Sequence, residues 1–218
     1  MRLLRLILAS AALMFAAGGA YAAEPKEGVD YQLLTPAVPT EAAGKKVEVI
    51  EFFMFTCPHC FAMEPALSAW VKKNADKVNF RRIHFPRGEK DPLAHAYITL
   101  ETMGKLEGVS DKIFSAIHIE RKRLSRDDDV TDIIVKAGVD KTKYLEVFNS
   151  FAVQTKMKRA NQLIAAYKVD SAPTLVIDGR YVTSPSMAGR PNQPEAQSQM
   201  AALAVADYLV AKAASTKK

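Results

Sequence analysis

The spacing of hydrophobic residues changes several times along this chain, and each change predicts an element of secondary structure. Residues 47–55 are almost continuously apolar, which is typical of a strand covered on both faces. Apolar positions recur at helical spacing from Pro58 to about Asn74, and residues 78–85 alternate as a second strand does. A strand, a helix and a strand in this order predict a βαβ unit with parallel strands.

Residues 91–167 predict helices with no strand between them, because glycines and polar residues separate segments of helical periodicity. The expected helices are Pro92–Met103, Ser110–Ile119 and three more, which are capped by Ser125, Asp140 and Ser150. This stretch therefore predicts a helical unit inserted into an α/β frame.

The frame resumes after residue 167. Thr174–Ile177 and Arg180–Thr183 predict the two strands of a hairpin, since Asp178-Gly179 between them is a turn signal. Pro194 can begin a last helix. One face of that helix is expected to carry Met200, Leu203, Ala206 and Val210.

These elements predict an α/β fold built from a discontinuous domain. We expect residues 23–90 and 168–218 to form one domain and residues 91–167 to form an inserted all-helical subdomain. A single domain of this size with an insertion can bury a full hydrophobic core.

The first 22 residues have the features of a secretory signal peptide. Arg2 and Arg5 precede a short apolar stretch, and Ala20-Tyr21-Ala22 matches the small-x-small pattern of a cleavage site. A membrane anchor is the alternative, but the apolar stretch is shorter than the ~20 residues that a spanning helix requires. We therefore expect export to the periplasm and cleavage after Ala22 or Ala23.

The charge of the chain gives no indication of a nucleic-acid partner. The formal net charge is +6, and it falls to +4 when Arg2 and Arg5 leave with the signal peptide. The densest basic run, Arg121-Lys122-Arg123, is soon followed by Asp127-Asp128-Asp129, as on a solvated helix surface. We expect no binding to nucleic acid.

Cys57 and Cys60 are the only cysteines, and they stand where the first strong strand gives way to a helix. A Cys-x-x-Cys in this context is typical of a redox dithiol. If Cys57 caps the helix, Pro58 occupies the first helical position, where its missing N–H is harmless. The Cys57 sulfur then lies at the positive end of the helix dipole, which favours its thiolate and leaves Cys60 as the resolving thiol.

His59 strengthens this interpretation. An imidazole beside the thiolate can donate a hydrogen bond and, once protonated, contributes a positive charge. Because a stabilised Cys57 thiolate stabilises the reduced protein, the disulfide becomes easy to reduce and the protein oxidises others. The Pro58-His59 pair between the cysteines therefore favours an oxidant.

Three other roles for the two cysteines compete with redox catalysis. A structural disulfide would close a very small loop, which stabilises little in the chain-entropy model. Zinc would need further ligands, yet no other cysteine exists and His84, His95 and His118 are not paired at short spacing. Covalent haem attachment would need a histidine where Phe61 stands. We expect no metal and no cofactor other than the redox-active disulfide itself.

The segment from Glu51 to Cys60, Glu-Phe-Phe-x-Phe-x-Cys-Pro-His-Cys, resembles the active-site strand and loop of the DsbA family in the thioredoxin superfamily. The segment from Ala172 to Tyr181 resembles the second signature of that family, a proline just before a strand and hairpin. The resemblance extends from about Tyr31 to Tyr208. It implies a thioredoxin fold with an inserted all-helical subdomain and the activity of a thiol:disulfide oxidase.

The resemblance also implies roles for four further residues. Pro173 is expected to have a cis peptide bond and to lie against the disulfide. Ala172 is then expected to offer its backbone to an extended substrate segment, although other members have a bulkier residue there. Glu51 is expected to relay a proton to the deeper thiol, with Arg82 as its basic partner.

The expected function is that of a periplasmic dithiol oxidase. Unfolded, newly exported proteins with free cysteines would form a mixed disulfide at Cys57 and leave with the disulfide of Cys57 and Cys60. A quinone-linked oxidase of the inner membrane, of the DsbB type, would then reoxidise the protein, which is expected to be a monomer.

Two other functions stay open. A disulfide isomerase or reductase can use the same fold, but the periplasmic isomerases carry an N-terminal dimerisation domain for which residues 23–56 are too few. A periplasmic chaperone or binding protein with an incidental disulfide would keep its function after Cys60→Ser.

Overall fold

The computed structural model describes residues 24–42, 44–86, 88 and 90–217. The expected signal peptide, residues 1–22, lies outside the described residues. Along the described chain the elements are β1 (Gln32–Leu33), β2 (Val47–Phe53), α1 (Pro58–Lys73), β3 (Val78–His84), α2 (Pro92–Met103), α3 (Ser110–His118), α4 (Asp127–Lys136), α5 (Lys141–Phe148), α6 (Phe151–Tyr167), β4 (Thr174–Ile177), β5 (Tyr181–Thr183), α7 (Pro185–Ala188) and α8 (Glu195–Thr216).

The five strands form one mixed sheet in the order β1-β5-β4-β2-β3. β2 and β3 are parallel, as the βαβ pattern predicts, whereas β4 and β5 form an antiparallel hairpin. Every residue of β2 is buried, which explains its nearly continuous apolar sequence. The two acids within β2, Glu48 and Glu51, are therefore buried in the interior of the protein.

Helices cover both faces of the sheet. On one face Val47 and Val49 pack with residues of α1 and α8, such as Leu67 and Leu209. On the other face Ile50 and Phe52 pack with α6 through Leu163 and Tyr167. Because side chains alternate along a strand, Glu51 lies on the face of β2 that carries Val47 and Val49.

The helices between residues 92 and 167 build a separate hydrophobic cluster that reaches the end of β2. Leu93, Ile113 and Ile134 belong to this cluster together with Phe53 and Phe55. Both cysteines belong to it as well. The division of the chain into residues 23–90 with 168–218 and residues 91–167 stays a prediction. The helices between residues 92 and 167 do pack against the cysteines.

Two bounds differ by one residue from the sequence-based expectations, since α3 ends at His118 and β5 begins at Tyr181. Three further differences concern β2, α4 and α8. β2 ends at Phe53 instead of residue 55, because Phe55 bonds to histidine side chains instead of a neighbouring strand. Arg126, not Ser125, caps α4, since the Asp129 carboxylate accepts the Arg126 backbone N–H. Met200 does not share the buried face of α8, and its side chain is exposed.

No helix in the described part of the chain combines the length and the apolar character needed to cross a membrane.

Candidate active site

The two cysteines lie at the turn that joins β2 to α1. Cys57 is the N-cap of α1 and has extended backbone angles, with φ −81° and ψ 116°, and Pro58 begins the helix as predicted. The Cys60 backbone N–H donates to Cys57 Sγ at 3.3 Å. The Cys57 sulfur thus occupies the position of a capping oxygen, where it meets the free N–H groups of the first turn.

The environment separates the acidities of the two thiols. The pKa of Cys57 is lowered to about 6 by the hydrogen bond from the Cys60 side chain, by backbone N–H groups of Cys60 and His59, and by the charge of His59, against the effect of burial. The same bond to Cys57, together with burial, raises the pKa of Cys60. The structure holds both residues as free thiols, and Cys57 is 6% exposed and Cys60 1%. Cys57 is therefore the sulfur equipped to act as a thiolate at neutral pH.

The His59 ring has its hydrogen-bond partner elsewhere in the chain. Its Nδ1 lies 2.8 Å from Oε1 of Glu195, the first residue of α8. The expectation of a hydrogen bond from this imidazole to the Cys57 sulfur is replaced by an ion pair with Glu195. His59 still acts on Cys57 through its charge and its backbone N–H, since both lower the pKa of Cys57.

Pro173 and Ala172 come to the same place from the far end of the sequence. The Ala172–Pro173 peptide bond is cis, as the resemblance implies. The Cys57 thiol donates to the Ala172 carbonyl oxygen, with Sγ and O 3.4 Å apart. Two residues that are 115 positions apart in the chain are thus in direct contact at the sulfur.

Beneath the cysteines, Glu51 and Arg82 form an ion pair across the parallel strands. Arg82 Nε lies 2.5 Å from Glu51 Oε2, and the two residues are paired in the register of β2 and β3. Burial raises the pKa of Glu51 to about 7, although the charge of Arg82 opposes this rise. Glu51 in turn raises the pKa of Cys60. Glu51 is thus a carboxyl group that can exchange a proton near neutral pH.

Sequence reasoning missed a third member of this group, Glu64. Arg82 Nη2 lies 2.8 Å from Glu64 Oε2, so the guanidinium bridges two carboxylates. Glu64 stands one turn after Cys60 on α1, and that spacing was a usable signal, because residues i and i+4 share a helix face. Glu195, by contrast, has no local signal, since it is far from His59 in the sequence.

His84 and His118 were also missed as parts of the site, and both hold the backbone of Phe55. The Phe55 N–H donates to His84 Nε2 at 3.1 Å, and the Phe55 carbonyl oxygen lies 2.8 Å from His118 Nε2. The ring of His118 also stacks on Phe61, with centroids 4.7 Å apart. The two histidines thus fix the segment that leads from β2 into the cysteines.

Among the described residues, no three or more histidine, cysteine or acidic side chains come together in a group that could hold a metal ion. His84 and His118 are accounted for by Phe55, and His95 Nε2 lies 2.9 Å from the Phe148 carbonyl oxygen.

The site is a dithiol at the start of a helix. The outer sulfur, Cys57, contacts the residue before a cis-proline, and a buried acid acts on the inner sulfur, Cys60. These features define a thiol:disulfide oxidoreductase. A family model described as "DSBA-like thioredoxin domain" matches residues 48–201, and the chain belongs to this family. The predicted family, the thioredoxin fold with its added helices and the oxidoreductase class are confirmed.

Individual proteins agree with this membership. The thiol:disulfide interchange protein DsbA of Pseudomonas syringae pv. tomato is 39% identical over 214 residues, which are 96% of each chain. The protein of the same name from Burkholderia cepacia is 35% identical over 186 residues, 85% of this chain and 88% of the relative. The crystal structure of Pseudomonas aeruginosa DsbA superposes with a TM-score of 0.76 at 35% identity and covers 86% of this chain and 94% of that one.

Proposed function

We propose that this chain is a periplasmic dithiol oxidase that donates the disulfide of Cys57 and Cys60 to newly exported proteins. The observation that carries the proposal is the difference between the two sulfur atoms. The fold stabilises the thiolate of Cys57, which lowers its pKa, and raises the pKa of Cys60. A stabilised thiolate favours the reduced protein over its disulfide, and this makes the disulfide an oxidant of other thiols.

The reaction begins when a thiolate of the client attacks Cys57 Sγ of the disulfide. A bond forms between the client sulfur and Cys57, the bond between Cys57 and Cys60 breaks, and Cys60 leaves as a thiolate. A second client thiolate then attacks the client sulfur of this mixed disulfide, and Cys57 leaves as a thiolate. The client loses two electrons in forming its disulfide, and the enzyme gains both as the dithiol.

The inner sulfur needs a proton in this sequence, because the raised pKa of Cys60 makes its thiolate a strong base. Glu51 is the proposed donor, since its pKa of about 7 lets it hold a proton at neutral pH and return it afterwards. Arg82 and Glu64 are proposed to orient Glu51 and to connect it to solvent. A cavity of about 250 Å³ that borders Glu64 and Arg82 supports this route.

The backbone beside Cys57 is the proposed place for the client. The Ala172 carbonyl oxygen lies 3.4 Å from Cys57 Sγ, so an extended client segment that pairs with Ala172 would bring its own sulfur to Cys57. Pro173 lacks a backbone N–H, which leaves Ala172 to make these contacts. We propose unfolded, exported proteins with free cysteines as the clients.

The setting of the reaction belongs to the same proposal. The leader of residues 1–22 supports export to the periplasm with cleavage after Ala22 or Ala23, which amino-terminal sequencing of the exported protein would test. A quinone-linked oxidase of the DsbB type is the proposed reoxidising partner, and the enzyme is proposed to act as a monomer without a metal or organic cofactor. Nucleic acid is not among the proposed partners.

A trapping experiment tests the central step. Cys60→Ala removes the thiol that would release a bound client. When the Cys57 thiolate of this variant attacks a disulfide of a client, one client sulfur bonds to Cys57, the other leaves as a thiolate, and the mixed disulfide should accumulate. The measurement is a non-reducing gel of the periplasmic fraction, followed by mass spectrometry of the linked peptides. Cys57→Ala is the matched control and should give no adducts. If Cys60→Ala accumulates no adduct through Cys57, the proposed nucleophile is wrong.

A further inference from the structure

The ion pair between His59 and Glu195 links the active-site dipeptide to the last helix. The paired atoms are 2.8 Å apart, and the two side chains are 63% and 48% exposed. Glu195 is the first residue of α8, where a negative charge is also favoured by the helix dipole. The reactive end of α1 and the start of α8 are thus joined by charge.

Gln199 fixes this contact from one turn further along α8. Its side chain is buried, and its Nε2 donates to Glu195 Oε1 at 3.0 Å and to the His59 carbonyl oxygen at 3.4 Å. The amide therefore holds both partners of the ion pair at once, one by its carboxylate and the other by its backbone. An exposed pair without such an anchor would lose much of its attraction to side-chain freedom.

We propose that Glu195 is a positioning residue which, through His59, sets how strongly the Cys57 thiolate is stabilised, with Gln199 as its anchor. The proposal rests on the proposed function for its meaning in catalysis. The groups that act on the charge of the His59 ring are Glu195 from α8 and Cys57 from its own helix. No other residue in the described part of the chain is an ion-pair partner of His59.

The physical link runs through the charge on the imidazole. The hydrogen bond and charge of Glu195 raise the pKa of His59, so the ring keeps its proton at higher pH than it otherwise would. That proton supplies part of the positive charge that lowers the pKa of Cys57. Without the Glu195 charge, His59 should lose its proton at lower pH, and the Cys57 thiolate should then be less stabilised.

Glu195 also carries a negative charge of its own, which acts on the thiolate in the opposite direction. If only this repulsion acted, a variant without the Glu195 charge would have a lower pKa at Cys57. The proposal requires the route through His59 to outweigh the direct one. The two routes predict shifts of opposite sign, and that makes them separable by experiment.

The test is a titration of the thiolate absorbance near 240 nm in the reduced full-length mature protein. Glu195→Gln should raise the pKa of Cys57 by about 0.5 pH unit, as expected for a partly exposed ion pair. The matched control is Glu101→Gln, because Glu101 forms an exposed ion pair with Lys156 at 3.1 Å between α2 and α6. The control should leave the titration of Cys57 unchanged.

A double-mutant cycle decides the mechanism. In a His59→Ala background, Glu195→Gln should leave the pKa of Cys57 unchanged or slightly lower it, since only the direct repulsion is then removed. Gln199→Met should shift the titration in the same direction as Glu195→Gln. An unchanged or lower pKa of Cys57 in the single Glu195→Gln variant would overturn the proposal. Thiolate titration needs no client, so this outcome is separate from any failure of the oxidase activity.

Discussion

At the scale of single residues, the chemistry depends on two sulfur atoms that are three positions apart and differ in their surroundings. Cys57 Sγ accepts the Cys60 N–H and contacts the Ala172 carbonyl group, whereas Cys60 is buried above Glu51. The Cys60 and His59 N–H groups and the charge of His59 favour a thiolate at Cys57, whereas the surroundings of Cys60 favour a neutral thiol. This difference supports the proposed order of events, in which the Cys57 sulfur reacts with clients and the Cys60 sulfur is the leaving group.

The two thiols should therefore react with an alkylating agent at very different pH. Cys57 of the reduced protein should be modified by iodoacetamide with a midpoint near pH 6, because its pKa is lowered to about 6. Cys60 should stay unmodified up to the pH at which the fold opens. Mass spectrometry of the peptides after short pulses measures both rates. Equal midpoints near the ordinary thiol pKa would contradict the assignment.

The stability of the reduced protein should depend on pH through Cys57. Its folded pKa lies below the unfolded value, so this contribution is present at high pH and is lost as pH falls through about 6. Between pH 8 and pH 6 the free energy of unfolding of the dithiol form, relative to the disulfide form, should fall by on the order of 2 kcal/mol. Urea unfolding of both forms measures this difference, and a constant difference would contradict the account.

Glu51 should make the free energy of unfolding depend on pH in the opposite direction. This dependence is best measured in the disulfide form, where Cys57 carries no thiol that titrates. Burial raises the folded pKa of Glu51 to about 7, so stability falls as pH rises from about 4.5 to 7. Between pH 4.5 and pH 7 this loss of stability is on the order of 3 kcal/mol, and Glu51→Gln should remove it. Glu24→Gln is a control on an exposed carboxylate. A slope that survives in Glu51→Gln would exclude Glu51 as its source.

At the scale of elements, the turn between β2 and α1 is held by side chains from other parts of the chain. His84 at the end of β3 and His118 at the end of α3 bond to the two backbone groups of Phe55. The Cys57 N–H donates to the Met54 carbonyl oxygen at 3.1 Å and closes the turn. The start of α1 is therefore positioned by both the sheet and the helical cluster.

Replacement of His84 by phenylalanine tests this support. The Phe55 N–H would lose its acceptor in a buried site, which should reduce the free energy of unfolding by about 1–3 kcal/mol. The variant should also shift the titration of the Cys57 thiolate, because the turn that carries the sulfur is loosened. His95→Phe is the matched control, since His95 bonds to the Phe148 carbonyl group away from the cysteines. The control should affect stability without moving the thiolate pKa.

The sequence predicts elements well where the signal is local. The bounds of α2 and the parallel pairing of β2 with β3 follow from periodicity and from proline and glycine positions. The cap of α4 was assigned one residue too early, because Arg126 takes the extended conformation that Ser125 was expected to have. The prediction that Met200 lies on the buried face of α8 is wrong. This helix is rich in alanine, so its hydrophobic pattern fits more than one buried face.

Within the site, the sequence predicts the residues that are near the cysteines in the chain and those of the second family signature, Ala172 to Tyr181. Cys57, Pro58 and Cys60 lie as the capping argument requires, and Pro173 is brought in by the fold. Glu195 and Gln199 could not be predicted, because only the packing of α8 beside α1 brings them to His59. The roles of Glu51 and Arg82 stay predictions, although the structure pairs them.

At the scale of the whole molecule, the active site lies where two hydrophobic clusters meet. The helical cluster contains both cysteines, and α1, which carries them, packs its Met63 and Leu67 into the cluster of the sheet and α8. A change in either cluster therefore falls on residues that pack with the cysteines or with the helix that follows Cys57. Side chains from β2, β3, α3 and α8 therefore lie around the two cysteines or around the residues next to them.

The most direct test of the account is the reduction potential of the pair formed by Cys57 and Cys60. The purified protein is equilibrated with a series of glutathione buffers at pH 7, and the reduced fraction is measured by alkylation and mass spectrometry. We expect a potential far more oxidising than the value of about −270 mV for thioredoxin, because the stabilised Cys57 thiolate favours the reduced form. A potential near that of thioredoxin would contradict the claim that this protein oxidises its clients.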